Sequence, residues 1–160
     1  MNNGSKGIFE TPLDAVSKLF DLNVTSAFAA GAQAAEIMRR QGTGGSIINN
    51  TSIAALAPDG SLGAHGAAKA ALQNLTTAWS VELARLRIRV NAVAPGGVET
   101  ANTILRTGTP EQRAIEVSKI PMGWLGSPTD AAACFLFFTS DESRFVSGAT
   151  LLLAGGRTHI

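Results

Sequence analysis

Ser46-Ile47-Ile48-Asn49-Asn50-Thr51 is a short β-branched run set between the breaker Gln41-Gly42-Thr43-Gly44-Gly45 and a loop carrying Pro58, Asp59, Gly60 and Gly63. Bounded in this way, it predicts a strand. A second run, Ile88-Arg89-Val90-Asn91-Ala92-Val93-Ala94, stops at Pro95-Gly96-Gly97, and a third, Thr150-Leu151-Leu152-Leu153, stops before Gly155-Gly156. Between the first two, Leu72, Leu75, Trp79 and Leu83 recur at helical spacing, so a helix is expected from about Ser61 or Ala64 to Leu86. Strands separated by helices make an α/β layer with a parallel sheet the economical arrangement. The weak alternation within the strands fits, because parallel strands are covered on both faces.

Outward from this centre, Thr11-Pro12-Leu13-Asp14 predicts a helix start, with Thr11 as cap and Pro12 at the first helical position. An Ala-rich helical pattern then runs to about Arg40, whose positive charge suits a helix C-terminus. Thr100 to Ser118 is expected to be a mobile helical segment interrupted at Gly108 and Pro110. Ser127-Pro128-Thr129-Asp130 opens a further helix to about Phe138. With no repeats or linkers, residues 1–160 are expected to form a single domain of about three strands with flanking helices.

The chain has 13 Lys+Arg against 12 Asp+Glu, a formal net charge of +1, and 45% hydrophobic residues. So little net charge offers no basic field for nucleic acid and no polybasic anchor for a membrane. The stretch from Val24 to Met38 is too short and too polar to span a bilayer. A cytoplasmic location is expected. With one cysteine, no intrachain disulfide can form, and Cys134 within Ala-Cys-Phe-Leu-Phe-Phe is expected to be a buried small hydrophobe. Tyrosine is absent from the chain, so no phenol is available as an acid or base.

Among residues that carry chemistry, Gly42-Thr43-Gly44-Gly45 precedes a strand and lacks the last glycine of a dinucleotide loop; it fits a helix-ending turn. His65 and His159 have no neighbours at metal-ligand spacing, and no metal site is expected. Ser52 follows a strand at its carboxyl end, where parallel sheets place ligands. His65 and Lys69, four residues apart, share one helix face. Asn23 is a polar residue in an Ala-rich helix and needs a partner. Spacing alone favours structural roles for all four: a cap, a surface charge, a satisfied polar group.

The motifs add a resemblance. Asp21-Leu22-Asn23-Val24-Thr25, Ser46-Ile47-Ile48-Asn49-Asn50-Thr51-Ser52, His65-Gly66-Ala67-Ala68-Lys69 and Ile88 through Thr100 resemble, in order and spacing, the short-chain dehydrogenase/reductase family. The later Gly126-Ser127-Pro128-Thr129-Asp130, Phe135-Leu136, Ser140-Asp141 and Ser147-Gly148-Ala149 resemble its C-terminal third. The resemblance covers the chain from about Phe9 onward. It implies a partial Rossmann-like, doubly wound parallel sheet and an NAD- or NADP-dependent oxidoreductase acting on a small carbonyl or alcohol. It also implies that Ser52 hydrogen-bonds the substrate, that Lys69 holds the nicotinamide ribose, and that Asn23 supports a proton relay. Pro95, Gly96, Val98 and Thr100 then match the segment lying against the cofactor.

Two departures bear on activity. The tyrosine of the family's Tyr-x-x-x-Lys is His65 here, and no other tyrosine can replace it. Imidazole titrates near pH 6.5, but a neighbouring Lys69 disfavours its charged form, and the ring is shorter than a phenol. A misplacement of about 1 Å can cost on the order of a hundredfold in rate, so impaired or absent catalysis is expected. The second departure is the missing T-G-x-x-x-G-x-G loop, which places the chain as the C-terminal portion of a longer domain. Asn2-Asn3-Gly4 is expected to be a remnant of the family's N-N-A-G. The strand at Ser46 would then present an open edge, while the helices at Thr11 to Arg40 and Ser61 to Leu86 keep the family's dimer face. A homo-oligomer is expected, and with it the alternative of a non-catalytic scaffold derived from the family.

Overall fold

The computed structural model describes residues 7–58 and 60–157. Asn2-Asn3-Gly4, Asp59 and His159 lie outside the described residues. Three parallel strands, β1 (Gly45–Asn50), β2 (Ile88–Pro95) and β3 (Thr150–Leu153), form one sheet in the order β1-β2-β3. Ile47 stands opposite Val90, and Ala94 opposite Leu152. Central β2 is covered from both sides, with Val90, Ala92, Val93 and Ala94 wholly excluded from solvent. β1 is paired along one side only among the described residues.

Helices α1 (Leu13–Phe20), α2 (Ser26–Gln41) and α3 (Gly63–Glu82) precede β2, while α4 (Ala101–Thr107), α5 (Pro110–Ser118) and α6 (Pro128–Thr139) lie between β2 and β3. Successive strand residues face opposite ways. Ile88 and Val90 pack with Ile47 and Trp79 against α2 and α3. Arg89, pointing to the other face, donates to the Phe138 carbonyl (2.8 Å) and Ser143 Oγ (2.9 Å) beneath α6. Asn91, fully buried, donates to the Val146 carbonyl (2.8 Å) and accepts from the Ala149 amide (3.0 Å). The turn leading into β3 is thereby tied to the central strand.

The three strands and their direction agree with the sequence reading; several boundaries do not. The first helix begins at Leu13 with Pro12 at the cap position, one residue later than expected, and the Thr11 hydroxyl donates to the Gly7 carbonyl. It is not one continuous helix. A π-helical turn, Asp21–Thr25, interrupts it, an irregularity that residue periodicity does not encode. α3 ends at Glu82 rather than Leu86. A 3-10 turn (Ala84–Leu86) and Arg87, at φ +58°, reverse the chain into β2. The helical segment after Thr100 is interrupted at Gly108 as expected, giving two helices. Cys134 is only partly covered, and burial, with the nearby Asp130 charge, pushes its thiol pKa up.

Candidate functional site

At the carboxyl end of β1 the Thr51 amide and hydroxyl both donate to the Val93 carbonyl (2.8 and 3.0 Å), fixing the strand's exit against β2. Ser52 follows in extended backbone, and its Oγ accepts from the Ala54 amide (3.1 Å), capping the 3-10 turn Ile53–Ala55. This is the structural role that spacing favoured, and it leaves the hydroxyl proton free to donate elsewhere.

Helix α3 meets that turn at Gly66. A Cβ there would stand 2.6 Å from the Ala54 carbonyl oxygen and 3.1 Å from Pro58 Cβ, so only glycine allows the approach. His65 precedes this contact point, and Lys69 lies one turn further on. The Lys69 ammonium donates to the Asn50 carbonyl (2.8 Å), at the tip of β1. Both side chains are half-buried. Burial lowers the Lys69 pKa. Burial first, and the Lys69 charge second, lower that of His65. Both effects disfavour the charged imidazolium.

The third wall is the exit of β2. Pro95 is its last residue, and the Gly96 amide donates to the Leu153 carbonyl (2.9 Å). A Cβ on Gly96 would come within 3.1 Å of both Ile53 Cδ1 and Ala154 Cβ, so this loop runs beside the Ser52 turn. Val98, buried, bridges to Gly126, and Thr100 caps α4 by accepting from the Thr103 amide (3.3 Å).

The sheet thus gathers Ser52, His65, Lys69, Pro95 and Gly96 at one end, with Val98 and Thr100 further along the same loop. Asn23 is placed on the π-helical turn, where its Nδ2 donates back to the Leu19 carbonyl (2.9 Å); it makes no hydrogen bond to Ser52, His65 or Lys69. Two participants escaped the sequence reading. The Asn50 carbonyl anchors Lys69, and a backbone acceptor carries no residue-type signal. Gly66 was visible only as a small residue between His65 and Lys69. Among the described residues no three His, Cys, Asp or Glu are grouped so as to hold a metal ion. No helix among them is long and apolar enough to cross a membrane.

Three parallel strands layered with helices, with a serine at the carboxyl exit of one strand, define an α/β protein of the class whose ligands lie beyond the carboxyl ends of its strands. Residues 1–158 match the family model described as enoyl-(acyl carrier protein) reductase. The chain is 36% identical over 141 residues to a 3beta-hydroxysteroid dehydrogenase of Eggerthella lenta, covering 88% of this chain and 54% of that protein. It is 33% identical to an NADP-dependent (R)-specific alcohol dehydrogenase of Lentilactobacillus kefiri, covering 96% of this chain and 62% of the relative. The solved structure of 4-hydroxyisoleucine dehydrogenase complexed with NADH superposes with a TM-score of 0.92 at 26% identity, over 97% of this chain and 64% of that one. The chain belongs to the short-chain dehydrogenase/reductase family of oxidoreductases. It spans between half and two thirds of the length of these relatives.

Proposed function

We propose that this chain carries the substrate and nicotinamide-ribose half of an NAD(P)-dependent oxidoreductase site, within a single domain over residues 1–160, and that its own proton transfer is impaired. The observation that carries the reading is the convergence of Ser52, His65 and Lys69 around the Gly66 contact. Lys69 commits one of its three N–H groups to the Asn50 carbonyl, leaving two for a vicinal diol such as a ribose. That donor set fits NAD or NADP; Pro95, Gly96, Val98 and Thr100 would line its nicotinamide side. When bound, the cofactor would supply or accept hydride.

The roles of this chain's residues follow from their chemistry. Ser52 would orient a small carbonyl or alcohol through its free hydroxyl proton. His65 stands where the family has tyrosine, as a ring that is shorter than a phenol and whose charged form is disfavoured by burial and Lys69. Asn23 would assist a proton relay from the π-helical turn. The names of relatives that act on a hydroxysteroid and an alcohol support an alcohol or carbonyl substrate, and Ile104, Leu105 and Ile115, exposed on α4 and α5, favour an uncharged one.

Titration with NADH and with NADPH, followed by nicotinamide fluorescence, tests the reading. Weak binding with a Kd of about 1 mM, lost in Lys69→Ala, is expected. His65→Tyr is expected to raise turnover of a simple alcohol panel by at least about tenfold. Absence of binding at millimolar cofactor in both the wild type and His65→Tyr would overturn it.

The alternative, a non-catalytic homo-oligomeric scaffold, has its own support. Val24, Phe28 and Ala29 of the first helical stretch and Ala71 and Leu75 of α3 line an open apolar groove, with Phe28 half exposed and edge-on to Trp79 (5.4 Å). A second copy would cover this face, and small residues along α3 allow helices to approach closely. A monodisperse monomer in gel filtration would remove this support. A cytoplasmic site of action belongs to the same reading and rests on the single cysteine.

A further inference from the structure

Where β1 and β2 begin, at the opposite end of the sheet from Ser52, a groove of about 750 Å³ opens between the strand starts and the chain that follows α6. Its near wall is drawn tight by glycine. Gly44, at φ +81°, lies so close to Arg87 that a Cβ would stand 2.5 Å from the Arg87 carbonyl oxygen, and the Gly45 amide donates to that oxygen (3.2 Å). Across the groove, Arg89 ties the end of α6 to β2. Its guanidinium donates to the carbonyls of Phe138 (2.8 Å) and Ser140 (3.4 Å) and to Ser143 Oγ (2.9 Å). The Phe138 carbonyl also accepts from Ser46 Oγ (2.8 Å), and the Ser140 carbonyl from the Ser143 amide and hydroxyl. The negative end of α6 is thereby taken up by the protein's own donors.

What is left uncompensated is positive. Arg87, Arg89 and Arg144 line the groove against the single carboxylate of Asp141. Arg89 is half-buried and pinned, with three of its five N–H groups used. The Arg87 and Arg144 side chains make no hydrogen bond or ion pair with the described residues. Arg87 is also the one non-glycine residue among them at positive φ (+58°). Glycine occupies that region freely and L side chains avoid it, so the turn itself selects against an arginine. An unpartnered arginine held there against backbone preference points to a role outside the fold. At the rim the Phe145 ring is completely exposed beside Arg144. Two free guanidinium forks suit a doubly charged oxyanion, each able to donate to it in pairs, and the groove has room for more than the anion alone.

We propose that this groove binds a small phosphate monoester, its phosphoryl group held by Arg87 and Arg144 above Arg89 and its apolar body against Phe145. The site is independent of the nicotinamide reading, because the two lie at opposite ends of the strands.

Titration of the full chain with phenyl phosphate and with inorganic phosphate, at constant ionic strength and read by amide proton–nitrogen correlation spectra, tests the proposal. Saturable shifts centred on residues 43–46, 87–89 and 139–147 are expected, with a Kd of about 0.1–1 mM for phenyl phosphate and about fivefold weaker binding of inorganic phosphate. Arg144→Gln is expected to weaken phenyl phosphate binding about tenfold. Arg87→Gly is expected to do the same while leaving Tm unchanged or higher, because glycine suits the turn. Lys69→Ala is expected to bind as wild type does. No saturable shift up to about 10 mM phenyl phosphate overturns the proposal. So does equal affinity for the two probes, wild-type affinity in both arginine variants, or loss of binding in Lys69→Ala, which would put the anion at the other end of the sheet.

Discussion

Gly66→Ala sets helix propensity against geometry at the point where the candidate site is assembled. An alanine inside α3 should gain about 0.5–1 kcal/mol from reduced backbone freedom in the unfolded chain. Its Cβ, however, would stand 2.6 Å from the Ala54 carbonyl oxygen, and ordinary contact begins at 3.4 Å, so the helix and the Ser52 turn must separate by about 0.8 Å. The facing atom is the backbone of the 3-10 turn Ile53–Ala55, and it cannot rotate away as a side chain could. Such overpacking costs about 1–3 kcal/mol, and the clash wins. A net loss of about 1–2 kcal/mol is expected, lowering Tm by about 2–8 °C for a chain of this size. Gly63→Ala is the internal control. It lies at the start of the same helix with nothing within 4 Å of its Cβ, so it is expected to leave Tm unchanged or to raise it by a few degrees, about 1 kcal/mol at most. Thermal unfolding by circular dichroism, with urea midpoints as a second measure, reads both variants. A Gly66→Ala protein as stable as wild type would refute the close approach of α3 to the Ser52 turn, and with it the geometry of the site.

Two further outcomes follow from buried polar groups. His65 has a folded-state pKa below its ordinary value of 6.5, from burial and then from Lys69, so the unfolded chain binds the proton more readily. Stability is therefore expected to be unaffected above about pH 6.5 and to fall as pH drops from there through the folded value; urea midpoints of His65→Gln, which lacks this group, should decline less over the same range, and parallel curves would contradict the burial of the ring. Asn91→Ala removes a donor to the Val146 carbonyl and an acceptor for the Ala149 amide at a fully buried position, orphaning both groups at a cost of about 2–4 kcal/mol. Urea unfolding measures it directly, and a loss below about 1 kcal/mol would mean that the turn before β3 finds other partners.

The relation between residue pattern and architecture differs from element to element. Strands β1, β2 and β3 were legible because each is a short run with β-branched or apolar residues set off by glycine- or proline-bearing turns, a signal carried by neighbouring residues alone. The capping box at Ser127 was equally local: its hydroxyl accepts from the Asp130 amide (3.1 Å), while the Asp130 carboxylate accepts from the Ser127 amide (2.7 Å). The π-helical turn at Asp21–Thr25 was not legible, since the residues there continue a helical periodicity. Their widened turn has no residue-type signature.

For the candidate site the sequence by itself determined which chemical groups are available: a serine at a strand exit, a histidine and lysine on one helix face, and no tyrosine anywhere. Only the tertiary structure decided which of them meet. Lys69 is aimed by a backbone carbonyl nineteen residues earlier in the chain, and the approach of α3 depends on a missing Cβ at Gly66. Asn23, by contrast, spends its amide on its own helix. Arg113 and Glu99, and Glu116 and Arg157, are brought together by the crossing of α5 over two strand ends. The spacing of 14 and 41 residues between these partners gave no hint of either pair. Residue types set the chemistry on offer because that is a property of single side chains. Proximity depends on how distant segments pack, and no local pattern records it.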